Sequence, residues 1–189
     1  LQYNPDNPQV CYNRGNVLLD LKRLEDAVAS FDRALALEAG RAPALYNRGI
    51  ALLDLERPEE AVASFDRALA LKPEYAQALY NRAIALQHLR RQDEVAASLA
   101  RLLELVPDFP FAPGMLLHAQ MHCCDWSKFA PSVDAINQGV RARKRVAEPF
   151  GYLGISDSAD EQRICAEVFA AVRAPVAPAP MWNGETWGN

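Results

Sequence analysis

The chain repeats itself every 34 residues along most of its first half. The tetrapeptide beginning at Tyr12 (YNRG) returns at Tyr46, and it returns at Tyr80 with alanine in the fourth place. Residues 27–37 recur unchanged at 61–71, and residues 8–41 and 42–75 are identical at 21 of 34 positions. A period of this length is typical of solenoids, in which each unit buries its apolar face against the next.

Each unit carries the apolar spacing of two helices. In the first unit, small and apolar residues recur at intervals of three and four, which predicts two amphipathic helices. They are Cys11, Gly15 and Leu18 in the first helix, and Val28, Phe31 and Leu35 in the second. The short Lys22-Arg23 link predicts that the two helices are antiparallel. Pro73 and Pro107 are expected to end the second and third units, and Gly40 the first.

The third unit departs from the other two. Val95 and Leu102 stand where the earlier units have alanine, and Leu99 replaces phenylalanine. Larger residues at close helix contacts are expected to loosen this hairpin or to change its crossing angle.

The pattern within the unit resembles the tetratricopeptide repeat, with a small residue at position 8, Ala at 20, an aromatic at 24 and Ala at 27. Arginine replaces the usual leucine at position 7, and we expect Arg14 and Arg48 to pair with the repeated Asp32 and Asp66. The resemblance implies an all-α fold, a right-handed tetratricopeptide superhelix (an α-α solenoid), followed here by a helical junction segment.

The predicted boundaries follow the repeat register. They are 1–7 for the tail of a preceding repeat, 8–41, 42–75 and 76–109 for repeats 1 to 3 (the third degenerate), 110–174 for the junction, and 175–189 for a Pro-rich extended linker. In the junction we expect a helix near Met115, a second helix at about 127–145 with Asp125 as its N-cap, and a turn at 148–151. A last helix at 158–173 is expected to begin with a capping box of Ser158 and Glu161, and Trp126 is expected to be buried.

The junction carries a second resemblance. Pro107-Asp108-Phe109-Pro110, Leu117-His118-Ala119 and Cys124-Asp125-Trp126 resemble the segment that joins repeats to catalytic lobes in O-linked N-acetylglucosamine transferases, especially bacterial ones. The family implies a sugar-nucleotide-using enzyme, whose lobes would follow residue 189. No catalytic, cofactor-binding or metal-binding residue is predicted within the chain itself, and no cofactor.

A polar face of the first helices is the candidate binding surface. Repeat positions 2, 6, 9 and 13 lie on one face of each first helix. Asparagine occupies position 6 in all three units, and a carboxamide can both donate to and accept from a peptide backbone. The alternative is that these asparagines are solvated or bond between neighbouring helices. The predicted groove residues are Asn13, Asn47, Asn81, Asn16, Asp20, Asp54, Gln77 and His88.

Other ligands are disfavoured. The net charge of −4 argues against nucleic acid, and the basic cluster 141–145 is expected to face water at a helix end. No apolar run is long enough to span a membrane, and four cysteines without metal or disulfide spacing favour the cytoplasm. His118 and His122 are assigned to packing rather than metal binding. A carboxylate clamp for chaperone C-termini would need cations where Tyr12, Gln77 and Asn81 stand.

Two functions are consistent with these features. The chain is either the acceptor-recruiting part of a glycosyltransferase or a stand-alone adaptor that brings proteins together. In both, the partner is a protein or extended peptide segment in the concave groove.

Overall fold

A computed structural model describes residues 7–173, so the predicted linker 175–189 and all but Asn7 of the predicted tail 1–7 lie outside the described residues. The described residues form helices and contain no strand, which confirms the all-α prediction. The repeat helices are α1 (Pro8–Asp20), α2 (Leu24–Leu37), α3 (Ala42–Asp54), α4 (Pro58–Leu71), α5 (Ala76–His88) and α6 (Gln92–Leu105). The junction helices are α7 (Ala112–His122), α8 (Phe129–Arg141), α9 (Pro149–Tyr152) and α10 (Ala159–Arg173). None of the helices in this range is long and apolar enough to cross a membrane.

The turn inside each hairpin has the same backbone form. Lys22, Glu56 and Arg90 all adopt left-handed φ values of 57° to 58°. In each turn the next amide donates to a carbonyl five residues earlier, as Arg23 does to Leu18 at 2.9 Å. This closure satisfies carbonyls that a helix end leaves open and reverses the chain within three residues.

Close approach within a hairpin depends on a glycine facing a phenylalanine. A Cβ at Gly15 would lie 2.5 Å from the Phe31 ring, and a Cβ at Gly49 would lie 2.5 Å from the Phe65 ring. Both rings are fully buried. In the third hairpin the pair is Ala83 and Leu99, both also fully buried.

The third hairpin buries its larger residues. Val95, Leu99 and Leu102 are at most 2% exposed. The smaller leucine at the phenylalanine position leaves room for the methyl group that Ala83 adds, so the two replacements offset each other.

The arginine–aspartate pairs connect neighbouring units and not residues of one unit. Arg48 Nε donates to Asp32 Oδ1 at 2.7 Å, and Arg82 Nε donates to Asp66 Oδ1 at 2.6 Å. The expected partners were Arg14 for Asp32 and Arg48 for Asp66, so the register was wrong by one unit. Each arginine also donates to a buried serine of its own unit, Ser64 or Ser98.

The second helices end at one position of the repeat whatever residue follows. α2, α4 and α6 end at Leu37, Leu71 and Leu105, and the next residue in each is extended, with φ between −145° and −136°. Gly40 does not adopt the left-handed C-cap that was expected to end the first unit.

After α7 the chain leaves the repeat geometry. α7 packs on α6 as a further first helix, but α8 contacts α7 much less closely than α2, α4 and α6 contact their hairpin partners, and it contacts α10 to the same extent. The segment that follows α8 returns to the start of α7. There Phe111 N donates to Arg145 O at 2.6 Å, and Gly114 N donates to Val146 O at 2.8 Å. A Cβ at Gly114 would lie 2.8 Å from the Ala147 backbone, so glycine permits this crossing.

Two expectations for the α7–α8 loop were wrong. Trp126 is 54% exposed and packs edge-on against Phe129, with ring centroids 5.2 Å apart. Asp125 does not cap α8, which begins at Phe129; its Oδ1 accepts from Ser127 N at 3.1 Å and Ser127 Oγ at 2.6 Å in a local turn. These bonds lower the pKa of Asp125.

A buried polar cluster joins α8, α9 and α10. The Tyr152 hydroxyl lies 2.9 Å from Glu161 Oε2 and 2.8 Å from Asn137 Oδ1. Ser156 Oγ donates to Glu161 Oε2 at 2.7 Å, and Arg141 Nε donates to Glu161 Oε1 at 2.6 Å. The capping box is therefore only half formed, because Ser158 Oγ accepts from Glu161 N at 3.4 Å while the Glu161 carboxylate serves this cluster.

The basic cluster at the end of α8 is paired with acidic residues. Arg141 bonds to Glu161, Arg143 bonds to Glu167 at 3.0 Å, and Lys144 lies 3.4 Å from Asp108. These side chains are mostly exposed, at 57–65%, as expected, and the cluster also links α8 to α10 and to the end of the repeats.

The stability of the junction is expected to fall in acid through Glu161. Hydrogen bonds from Ser156, Arg141 and Tyr152 lower the pKa of Glu161 below its ordinary value of 4.5. A lowered carboxyl pKa stabilises the fold above the unfolded pKa, and that stabilisation is lost as pH falls through the folded pKa. In urea unfolding at neutral pH, Glu161→Gln should therefore have a lower free energy of unfolding than the wild type. This difference should shrink as the pH falls below the ordinary carboxyl pKa of 4.5.

The exposed Glu104 on α6 offers a control for that measurement, because its carboxylate faces solvent. Glu104→Gln should follow the wild type at every pH. A difference for Glu161→Gln that stays constant from neutral to acid pH would contradict the proposed role of its charge.

Candidate functional site

The groove face of the first helices is organised by asparagine–tyrosine pairs that cross from one repeat to the next. Asn47 Nδ2 donates to the Tyr12 hydroxyl at 3.3 Å and to Asn16 Oδ1 at 2.8 Å. Asn81 Nδ2 donates to the Tyr46 hydroxyl at 3.0 Å. The alternative interpretation, bonding between neighbouring helices, therefore accounts for both amide hydrogens of Asn47 and for one of the two of Asn81.

The same pairs leave an acceptor and a donor available to a ligand. Neither Asn47 Oδ1 nor Asn81 Oδ1 accepts a hydrogen bond from a described residue. Burial raises the pKa of Tyr46, so its hydroxyl keeps its proton while it accepts from Asn81. Each pair can thus accept through a carboxamide oxygen and donate through a phenol.

One side chain packs on each tyrosine ring, and it belongs to the residue 29 positions later in the chain. Arg41 Cζ lies 5.4 Å from the Tyr12 ring centroid, and the ring centroids of Tyr75 and Phe109 lie 4.9 Å from those of Tyr46 and Tyr80, respectively. Cation–π and tilted aromatic contacts both hold a ring in place. The residues packed on the tyrosines become less polar from the first repeat to the third.

The remaining predicted groove residues are partly engaged with each other. Gln9 Nε2 donates to Asn13 Oδ1 at 2.7 Å, and Gln9 Oε1 accepts from Arg41 at 2.7 Å. Asp54 of the second repeat forms an ion pair with Lys22 of the first repeat, at 2.8 Å. The exposed members of the predicted set are Asn13, Asp20, Asp54, Gln77 and His88.

The groove face continues on α7 with different chemistry. One repeat beyond Asn81, Ile84 and His88 stand Met115, His118 and His122. The rings of His118 and His122 meet edge-on, with centroids 4.5 Å apart. Burial and the neighbouring His122 lower the pKa of His118. Among residues 7–173 no three His, Cys, Asp or Glu side chains gather as a metal site would need.

A cavity of about 550 Å³ lies at this end of the groove. Gln87, Met115 and His118 line it from the groove face, and Phe150 and Leu153 line it from α9 and the residue after it. Phe150 is 87% exposed and Leu153 is 57% exposed. Two large apolar side chains thus project beside the cavity.

Sequence reasoning missed several residues of this surface. Tyr12 and Tyr46 belong to the repeated YNRG motif, and their 34-residue spacing was a usable signal. Arg41, Tyr75 and Phe109 share a repeat position but differ in type, so only the register identifies them. Phe150 and Leu153 lie outside the repeats, and no period reaches them.

The repeats match a known family. Two models described as tetratricopeptide repeat match residues 8–40 and 42–75. No curated protein matches the chain.

Solved structures of similar fold include three tetratricopeptide proteins. The Arabidopsis OM64 TPR domain is 25% identical, with 61% of this chain and 95% of that chain covered and a TM-score of 0.58. MamA from Desulfovibrio magneticus RS-1 is 21% identical, with 73% and 78% covered and a TM-score of 0.65. The second TPR domain of human RPAP3, in complex with the HSP70 peptide SGPTIEEVD, is 24% identical, with 60% and 98% covered and a TM-score of 0.56. The chain therefore has a TPR-type helical repeat fold, and residues 8–75 are two tetratricopeptide repeats.

Proposed function

We propose that the chain binds an extended segment of a partner protein in the groove lined by α1, α3 and α5. The observation that carries the proposal is the repeated asparagine–tyrosine pair, at Asn47 with Tyr12 and at Asn81 with Tyr46. Because neither asparagine oxygen bonds to a described residue, both can accept from a ligand.

An extended peptide fits this arrangement better than a compact ligand does. Its backbone presents N–H and C=O groups at regular intervals and in every sequence. The groove presents an amide oxygen and a phenol at each repeat boundary, at positions that the hydrogen bonds and the ring contacts hold rigid. Such a surface binds backbone groups and leaves side-chain selection to neighbouring residues.

The solved relatives support a peptide as the ligand class. The RPAP3 domain named above is in complex with a peptide that ends in acidic residues. In this chain the clamp positions hold Tyr12, Gln77 and Asn81, which are not cations. We therefore propose a different peptide, one held through its backbone and not through a terminal carboxylate.

The role of that binding has two candidates. One is the recruitment of acceptor proteins to a glycosyltransferase in the cytoplasm, which rests on the sequence resemblance of the junction alone. The other is a stand-alone adaptor, with which the tetratricopeptide comparisons are equally consistent. A sugar-nucleotide-binding sequence encoded downstream would favour the first, and its absence from the reading frame the second.

The backbone-binding proposal is tested with random peptides selected by display against the whole chain. Fluorescence anisotropy then gives the Kd of each selected peptide for the wild type and for Asn47→Ala/Asn81→Ala. The loss of two acceptors, each about 0.5–1.5 kcal/mol, is expected to weaken binding by about 5- to 100-fold. N-methylation of the peptide amides that donate to the asparagines should weaken binding to the wild type in the same range.

The matched control is Glu59→Ala/Arg67→Ala, two exposed residues on α4 in the other helix layer. It should bind every peptide as the wild type does. Equal affinity of the asparagine variant and the wild type would show that the ligand does not use these oxygens.

A further inference from the structure

The groove changes from polar to apolar toward α7. The position-6 residues run from Asn47 to Asn81 to Met115, and the residues packed on the repeated tyrosines run from Arg41 to Tyr75 to Phe109. The residue 35 positions after Tyr80 is Met115, so the hydrogen-bonding pair seen twice in the groove is not repeated a third time.

The chain itself closes the groove at this point. Carbonyls of Arg145 and Val146 accept from the first turn of α7, and Ala147 lies against Gly114. α9 follows at once, so it stands beside the groove face of α7 as a wall. A ligand segment that runs along α1, α3 and α5 therefore meets this wall at the cavity lined by Met115 and His118.

We propose that this cavity holds a large apolar side chain (Phe, Trp, Leu or Met) of the partner segment bound in the groove. This inference rests on the proposed function, because the cavity is the end of the same groove. Its apolar walls include Met115, Met121, Leu153, Ile155 and Phe150, while His118, Gln87 and Glu148 are the polar residues of the lining.

Size and surface chemistry fit that occupant. The cavity volume of about 550 Å³ lies in the range of sites that take whole small ligands, so one large apolar side chain can enter it. Thioether side chains adapt to apolar groups of different shape, so two methionines favour a class of side chain over one residue type. Burial lowers the pKa of His118, so the imidazole is neutral at neutral pH and adds no charge to the wall.

The exposure of Phe150 and Leu153 adds an independent argument. Both leave most of their surface in water, at 87% and 57% exposure, while Tyr152 of the same helix is fully buried. α9 is thus anchored by one side chain and presents two others beside the cavity. A ligand side chain between them would remove apolar surface from water, which favours binding.

Methionine methyl resonances provide a direct test on the whole chain. The sequence has three methionines, of which Met115 and Met121 line the cavity and Met181 lies outside the described residues. With ¹³C-methyl methionine, titration with N-acetyl-phenylalaninamide should shift the Met115 and Met121 signals. N-acetyl-glycinamide should shift none.

Phe150→Ser/Leu153→Ser should abolish those shifts, and it should weaken the selected peptides by about tenfold or more. The matched control is Val17→Ser, which replaces an apolar side chain of the same 57% exposure on α1. It should change neither result. Sequences of the selected peptides should share one large apolar residue, and its replacement by alanine should cost as much as the double variant.

The outcomes separate this inference from the proposed function. The selected peptides could need the asparagines, share no large apolar residue and bind Phe150→Ser/Leu153→Ser as they bind the wild type. That result would contradict the proposed occupant of the cavity and would support the proposed function of the groove. A failure to select any peptide, with methionine shifts that still require Phe150 and Leu153, would overturn the groove and leave the cavity. If the methionine signals do not shift and the selected peptides share no large apolar residue, the proposal that the cavity holds an apolar side chain is wrong.

Discussion

Replacing Tyr152 by alanine is expected to destabilise the junction helices by about 3–5 kcal/mol while α1–α4 keep their stability. The ring is fully buried at the centre of the smaller apolar core, and its hydroxyl lies within hydrogen-bonding distance of Glu161 and Asn137. Alanine would leave a cavity, and the hydroxyl near both Glu161 and Asn137 would be lost. The buried neighbours in that core are Leu117, Ile136, Val140, Ala147 and Cys165.

The effect should be local because solenoid units interact mainly with their nearest neighbours. Hydrogen exchange followed by mass spectrometry should show lost protection in α8 and α10 and unchanged protection in α1–α4. Tyr152→Phe keeps the ring and should cost only about 1–3 kcal/mol. Phe150→Ala, in the same short helix but at an 87% exposed position, should change nothing. Loss of protection throughout the chain would contradict a separate junction core.

Burial also raises the pKa of Tyr152, to about 12. The hydroxyl therefore remains protonated over the whole range in which Glu161 titrates. Of these two groups, Glu161 is therefore the one that contributes acid destabilisation, and Tyr152→Phe is expected to retain that contribution in reduced form.

The repeat half could be predicted from the sequence because its interactions recur. The same glycine–phenylalanine contact occurs in two hairpins at the same spacing, as Gly15 with Phe31 and as Gly49 with Phe65. One sequence pattern therefore predicts the packing of both hairpins. The Arg48–Asp32 pair was assigned to the wrong unit for a related reason. Duplication places identical residues in every unit, and periodicity alone does not say which copy is nearest in space.

The junction could not be predicted to the same depth because its contacts are specific to single residues. Glu161 was assigned to a capping box on a local pattern, but Tyr152, Ser156 and Arg141 are brought to it by tertiary packing. Trp126 was expected to be buried on residue type alone, and a loop position outweighed that preference. Local signals predict helices here, and long-range partners decide what the side chains do.

The asparagines show the same limit at the candidate site. Their spacing predicts a ladder, and the structure shows that Asn47 donates to Tyr12 and Asn16 and that Asn81 donates to Tyr46. Asn47 therefore uses both amide hydrogens and Asn81 uses one of two, so the group that both asparagines keep for a ligand is the oxygen acceptor. This shared acceptor role depends on the tyrosines of the preceding repeat, and position 6 alone does not reveal it.

Gly49→Ala is expected to destabilise the second hairpin by about 1–3 kcal/mol, even though alanine favours helix by about 1 kcal/mol. The added Cβ would lie 2.5 Å from a Phe65 ring that is fully buried and cannot move aside. Phe65→Leu alone should also destabilise, by leaving a void against the glycine. The double variant recreates the Ala83–Leu99 pair of the third hairpin, which is packed without exposure.

The double variant should therefore be more stable than the sum of the single variants by about 1 kcal/mol or more. Urea unfolding of the four proteins gives this coupling, and hydrogen exchange of α3 and α4 localises it. Gly40→Ala is the matched control, since a Cβ there would meet nothing within 4 Å, and it should be neutral or slightly stabilising. Additive single effects would mean that the third hairpin reaches its packing by some route other than size exchange at these two positions.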